Sequence, residues 1–287
     1  MGKRKRRKKG RARGCMSVFL FIIICVVSLH YVQYKWKAFS VSYEEKIEEN
    51  EYDWSRLTTD EMGRKRYTSQ ENESALVGID VSKYQGDIDW RKVKNDGIEF
   101  AILRGGYRGS RNGEIMLDEK FLENIQQAAD AGIKIGVYFF SQAITEAEAI
   151  EEANFLLEHT KEYTITYPFV FDMEEFGAEE NRIDTLTIEE RMAITRAFCD
   201  TIQKSGKKAM IYGGNSWFFN RLQPSEIQHY DLWLAEYSCE PSYPYQFQIW
   251  QYSDAGTVDG IATKVDLNLS FSDYSKRDGN ETEITGD

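Results

Sequence analysis

Asp172 and Glu174 stand two residues apart at the end of the apolar run Tyr167-Pro168-Phe169-Val170-Phe171. In a strand, residues i and i+2 point to the same face with α-carbons about 6.5 Å apart, so the two carboxyls share one spot. Paired acids where a core strand emerges shift each other's pKa values and suit general acid–base work. The competing reading is an ordinary acidic surface loop through Glu174, Glu175 and Glu179. Little else in the chain suits catalysis. His30, His159 and His229 are the only histidines, which leaves a zinc site or a Ser-His-Asp triad little to draw on. Cys15 and Cys25 fall in an N-terminal apolar run, and Cys199 and Cys239 alone make no disulfide scaffold. Spacing does not decide whether those two pair. Chemistry is expected to rest on carboxylates, with no metal and no cofactor.

The elements that must position these acids follow from hydrophobic periodicity. Strands are predicted over 77–81, 100–104, 134–140, 168–172, 208–212, 231–237, 247–252 and 265–269. Helices fall between them. One runs from Leu117 to Ala131 and stops at Gly132. A second opens on a Thr145/Glu148 capping box with Ile150, Ala153 and Leu157 on its apolar face. A third opens on Thr187/Glu190, carries Ile194, Ala197, Phe198 and Ile202, and ends at Gly206. The last three strands are separated by loops with no room for full helices. Five β/α units followed by three largely bare strands predict an α/β fold, a single irregular TIM-like parallel barrel over 76–275.

Barrel enzymes place their chemistry at the C-terminal ends of the strands. Asp80 falls there on the first strand, Asp172 and Glu174 on the fourth, and Asp266 in the region of the eighth. Tyr138, Tyr212, Trp233, Tyr237, Trp250 and Tyr252 add aromatics, of which about half are expected to line the pocket and the rest to pack in the core. Rings with a polar edge suit a sugar, whose apolar face stacks while its hydroxyls seek hydrogen bonds.

Charge and hydropathy divide the chain. Residues 1–36 hold ten Lys or Arg and no acid, whereas 26 basic face 47 acidic residues beyond. The basic segment 1–14 precedes an apolar run, Cys15 to Leu29, that is shorter than the usual membrane span of about 20 residues. An aromatic and lysine border to Trp36 extends it, and no small-x-small cleavage pattern follows. The expectation is a transmembrane signal anchor over 15–36, with the N-terminus cytoplasmic and the remainder on the wall side of the cell membrane; a cleaved signal peptide, giving a secreted protein, is the alternative. A nucleic-acid-binding arm is disfavoured, because the acidic remainder would repel phosphate. Residues 37–75 read as an acidic stalk, 276–287 as a flexible tail, and the catalytic domain as a monomer.

A resemblance sharpens the reading. Gly78-Ile79-Asp80-Val81-Ser82-Lys83-Tyr84-Gln85-Gly86 with Asp89-Trp90, then Phe100 to Tyr107, Gly136 to Ser141, Phe171-Asp172-Met173-Glu174, Gln248 to Tyr252, and Val265-Asp266-Leu267-Asn268 follow in order. Together they resemble the glycoside hydrolase family 25 lysozymes over roughly 76–272. The resemblance implies an eight-stranded barrel whose last strands lack helices, and hydrolysis of the β-1,4 bond between N-acetylmuramic acid and N-acetylglucosamine in peptidoglycan strands. It carries the family's acids onto Asp80, Asp172, Glu174 and Asp266, and makes Tyr138, Tyr212, Trp233, Tyr237 and Gln251 candidates for binding substrate. Phe139 departs from the His that many members have after the tyrosine. Two carboxyls on one strand approach from the same side, which fits neither the spacing of about 5.5 Å across the bond for double displacement nor the wider inverting arrangement. Acetamido-assisted retention fits better, with Glu174 as general acid and then base, and with the charge on Asp172 raising its pKa. Competing readings are a non-catalytic glycan-binding barrel and a chitinase-like or glucosaminidase hydrolase; against the chitinases, Val170 and Pro168 stand where their motif carries further acids.

Overall fold

The computed structural model describes residues 47–175 and 181–277. The basic segment, the predicted anchor, residues 37–46 of the predicted stalk and residues 278–287 of the predicted tail lie outside the described residues. Among the described residues, no helix is long and apolar enough to cross a membrane.

A hairpin of Leu57–Thr59 (β1) and Lys65–Tyr67 (β2) comes first, followed by Leu76–Val81 (β3), Trp90–Asn95 (α1), Phe100–Arg108 (β4) and Ile115–Leu117 (β5). Phe121–Asp130 (α2), Lys134–Ser141 (β6), Glu146–Thr160 (α3), Phe169–Met173 (β7), Ile188–Lys204 (α4) and Ala209–Gly214 (β8) complete the regular units. The short helices Asn215–Asn220 (α5) and Pro224–Ile227 (α6) lead to Asp231–Ala235 (β9), Ile249–Gly256 (β10), Val265–Ser270 (β11) and Tyr274–Arg277 (α7). Strands β3, β4, β6, β7, β8, β9, β10 and β11 pair in a closed ring, with β5 added outside β4. The ring is buried on both faces, so its strands read as continuous apolar runs. One core lies between strands and helices, the other inside the barrel around Phe100, Ile102, Val170, Met210 and Trp233. Gly136 permits that inner packing, because a Cβ there would lie 2.9 Å from the Tyr167 Cβ and 3.0 Å from the Pro168 carbonyl.

The barrel departs from the expected parallel one at its last strand. β11 runs antiparallel to both β10 and β3. Only residues 257–264 join β10 to β11, too few for the crossover of a dozen or more that a parallel return requires. The reversal brings the start of β11 to the mouth where the other strands end.

The predicted stalk also departs from expectation, since from residue 47 the chain is folded onto the barrel. Tyr52 packs against Phe271 and Phe247 at ring-centroid distances of 4.3 and 5.1 Å, and Trp54 lies 5.8 Å from Tyr67 and 6.0 Å from Trp250. These rings cover β10 and the segments bordering β11, where full helices are missing. Acidic composition masked the few aromatics that decide the segment's fate. Two helix details differ as well. Leu117 ends β5 rather than opening α2, and the buried stripe of α3 is rotated slightly from the expected one: Ala153 is buried and Leu157 packs against the core, but Ile150 is 41% exposed whereas Glu152 is fully buried. Glu152 tolerates that position because Arg108 Nε donates to it at 2.6 Å. The Thr187/Glu190 capping box forms as expected. At α3, Thr145 caps the Glu148 N–H, but the Glu148 carboxylate accepts from Ile144 instead.

Candidate active site

Alternation along the strands aims one set of side chains into the barrel mouth. Asp80 closes β3, Asp172 lies near the end of β7, and Glu174 follows just past it. Tyr138, Tyr212, Trp233 and Gln251 come from β6, β8, β9 and β10. Asp266 sits at the start of the reversed β11, directly opposite Asp80 in register. These eight residues and Tyr237 line one cleft of about 300 Å³, within the usual size of a small-ligand site. A larger hollow of about 830 Å³ lies at the other end of the barrel, where Leu76 begins β3 and Ser270 ends β11. Its Glu71 and Glu73 are exposed loop residues, so it lacks the converging buried acids of the mouth.

The two outer aromatics of β10 turn away. The Trp250 indole N–H donates to the Glu236 carbonyl at 2.8 Å, and the Tyr252 hydroxyl accepts from the Lys65 N–H at 3.3 Å. Period two explains this, because Gln251 between them faces inward. Four of the six predicted aromatics therefore line the cleft. Phe139 likewise faces outward, 6.0 Å from Phe155, so the departure from the family's His alters no part of the cleft wall.

A hydrogen-bonded lattice fixes Asp80. Its Oδ2 accepts from Gln251 Nε2 at 2.9 Å and from Asn268 Nδ2 at 2.8 Å. Trp233 Nε1 donates to Asn268 Oδ1 at 2.8 Å, while the Tyr212 and Tyr237 hydroxyls donate to Gln251 Oε1 at 3.0 and 2.8 Å. Asn268 was not singled out as a site residue, although its place two residues after Asp266 put it on the same face. Arg104 was missed too; its position two residues beyond the inward-facing Ile102 was the available signal. Its guanidinium binds Asp118 at 2.7 Å and stacks 5.0 Å from the ring of Tyr84, an exposed residue at the cleft edge.

Four carboxyls gathered in so small and largely buried a cleft cannot all ionise. Burial pushes Asp80 up, and donors from Asn268, Gln251 and Asp266 pull it back. Asp266 is raised to about 9, by burial and then by the charge and hydrogen bond of Asp80. Asp80 therefore carries the charge of that pair and Asp266 the proton. Asp172 is raised well above the carboxylate range by burial, then by Glu174 and Asp80, with Arg104 opposing. Glu174 rises to about 7, through burial and then the charge of Asp80. The charge that joins burial in raising Glu174 is thus that of Asp80, rather than that of Asp172 as expected, because Asp172 is itself held toward its neutral form. Asp172 Oδ1 is buried and has no hydrogen-bond partner among the described residues.

Comparison with known proteins agrees with this geometry. The family model described as "Glycosyl hydrolases family 25" matches residues 79–261. The uncharacterized protein YegX of Escherichia coli is 31% identical over 210 residues, covering 68% of this chain and 69% of that protein. Lysozyme M1 of Streptomyces globisporus is 26% identical over 208 residues, covering 68% of this chain and 67% of its own. Among solved structures, the modular autolysin LytC of Streptococcus pneumoniae superposes with a TM-score of 0.60 at 25% identity, over 74% of this chain and 51% of that one. The matched span contains the acids of β3 and β7 and the aromatic walls between them, and by that match the chain belongs to glycosyl hydrolases family 25.

Proposed function

We propose that this chain hydrolyses the β-1,4 bond between N-acetylmuramic acid and N-acetylglucosamine with retention of configuration, using the substrate's own acetamido group as nucleophile. The chain is a lysozyme-type peptidoglycan hydrolase, in line with its family and its lysozyme and autolysin relatives. The observation that carries the mechanism is the unpartnered, buried Oδ1 of Asp172 beside a carboxyl whose pKa is about 7.

Glu174 holds a proton near neutrality and delivers it to the glycosidic oxygen as that bond breaks. The acetamido carbonyl oxygen bonds to the anomeric carbon, giving an oxazolinium ion. Its N–H supplies the donor that Asp172 Oδ1 lacks, and a donor on a carboxyl favours the anion, so Asp172 gives up its proton to solvent as the sugar binds and its carboxylate then faces the positive charge that develops on the oxazolinium. In the second half, water attacks the anomeric carbon, Glu174 takes the water's proton, and the oxazolinium reopens to the acetamide. Asp80, held by Gln251 and Asn268, keeps the Glu174 proton in place between turnovers. Tyr138 and Tyr212 bound the acetamido pocket, and Trp233 forms its floor.

The NMR spectrum of the first product tests the route. The β-anomer should appear before mutarotation; initial release of the α-anomer means inversion and removes the acetamido role.

The same proposal places the catalytic barrel outside the cell membrane, held by residues 15–36 as a signal anchor. The support is the basic cluster Lys3 to Arg13 before the apolar run. Membrane fractionation with N-terminal sequencing decides it, since a soluble chain beginning near residue 38 would mean a cleaved signal.

A further inference from the structure

We propose that Gln142 is a positioning residue that carries the β6–β7 ladder one residue beyond the sheet to hold Glu174, and that Arg182 and Glu148 fix Gln142 in turn. The inference rests on the reading of Glu174 as the general acid. The β6–β7 ladder ends at the pair Ser141 and Met173, so the next position in register belongs to Gln142 and Glu174. There the side chain takes over from the backbone. Gln142 Nε2 donates to the main-chain oxygen of Glu174 at 3.0 Å. The main-chain oxygen of Gln142 accepts from Arg182 Nη1 at 2.9 Å. Arg182 Nη2 in turn donates to Glu148 Oε1 at 2.8 Å, and Glu148 Oε2 accepts from the Ile144 N–H at 2.8 Å. The segments that follow β6 and β7 are thereby tied together behind the catalytic carboxyl.

Packing alone does not account for a glutamine here. Gln142 is fully buried, and its Oε1 has no partner among the described residues. A buried amide oxygen without a donor costs stability, whereas a methionine of similar volume fills the space with no such cost. The amide donor on Glu174 is the group that a methionine lacks. A proton donor displaced by about 1 Å can cost about a hundredfold in rate, and a carboxyl moved toward water loses the burial that raises its pKa.

Gln142→Met tests this. The kcat on purified peptidoglycan should fall about 10- to 100-fold with KM within about twofold, and the basic limb of the kcat profile should move to lower pH. Arg182→Lys, which keeps the charge but loses the fork, should show a smaller version of both changes, and it carries the test if Gln142→Met does not fold. An unchanged kcat overturns the proposal. So does a fall in kcat with the basic limb unmoved, which is what loss of folded protein alone would give. Glu174→Gln measured alongside separates the two claims. If that variant is active, the general-acid reading fails and this inference with it; if it is inactive while Gln142→Met behaves as wild type, only the role of Gln142 fails.

Discussion

Replacing Glu174 by Gln should stabilise the protein in alkaline solution while removing its activity. The carboxyl titrates at about 7 in the folded chain against an ordinary value of 4.5. Below about pH 4.5 it is protonated in both states and costs nothing. As pH rises from 4.5 to 7 the unfolded chain releases the proton and the folded chain keeps it, so stability falls through that window and is level above it. At 1.36 kcal/mol per unit, the difference amounts to ~3 kcal/mol at pH 8, an upper figure because Glu174 is only partly buried. Gln carries no such penalty. Urea unfolding of wild type and Glu174→Gln at pH 4, 6 and 8 should give curves that nearly coincide at pH 4 and separate progressively in favour of the variant, and thermal unfolding at pH 8 should show a Tm higher by several degrees. A variant equally stable or less stable than wild type at pH 8, relative to pH 4, refutes the claim that burial and Asp80 strain this carboxyl.

In the pH profile of kcat/KM, activity should fall as pH rises through about 7, where Glu174 loses its proton, and Asp80→Asn should move that limb to lower pH by removing the neighbouring charge. Arg108→Met strands Glu152, whose own pKa is already raised to about 7. The expected loss is ~3–5 kcal/mol at pH 8, shrinking at pH 5 where Glu152 is protonated, as read by denaturant titration. Trp54→Ala should cost about 2–3 kcal/mol, less than the loss for a fully buried ring, and deletion of residues 1–75 should leave the last strands uncovered and the product aggregated. If Trp54→Ala unfolds like wild type, the segment is the stalk that its composition suggests.

The barrel and its acids were legible in the sequence because alternation is local. Strands such as Phe169–Met173 announce themselves by apolar runs, and i, i+2 spacing then assigns Asp172 and Glu174 to one face. What the sequence hid depends on partners far along the chain. The reversal of β11 follows from a connection too short for a crossover, which becomes decisive only once β10 is known to be its neighbour. The folding of residues 47–75 depends on an aromatic surface supplied by Trp250 and by Phe247 and Phe271, some 200 residues away. On α3, Ala153 and Leu157 face the core as read, but the burial of Glu152 in place of Ile150 was not legible because it depends on pairing with Arg108 from β4. Trp250 and Tyr252 looked as suited to sugar as Trp233 does, and only the register placing Gln251 inward separates them. The electrostatics were the least legible part. The proximity of Asp80 to Glu174 is a property of the closed ring, whereas that of Asp172 is written in the motif.

The central claim is that this mouth cleaves peptidoglycan at muramic acid with Glu174 as the proton donor. Its most direct test is digestion of purified peptidoglycan by wild type and by Glu174→Gln, with borohydride reduction and analysis of the new reducing ends. Wild type should release products ending in muramicitol, and the variant should release essentially none while remaining folded. Glucosaminitol ends, no release by wild type, or full release by Glu174→Gln would contradict the account.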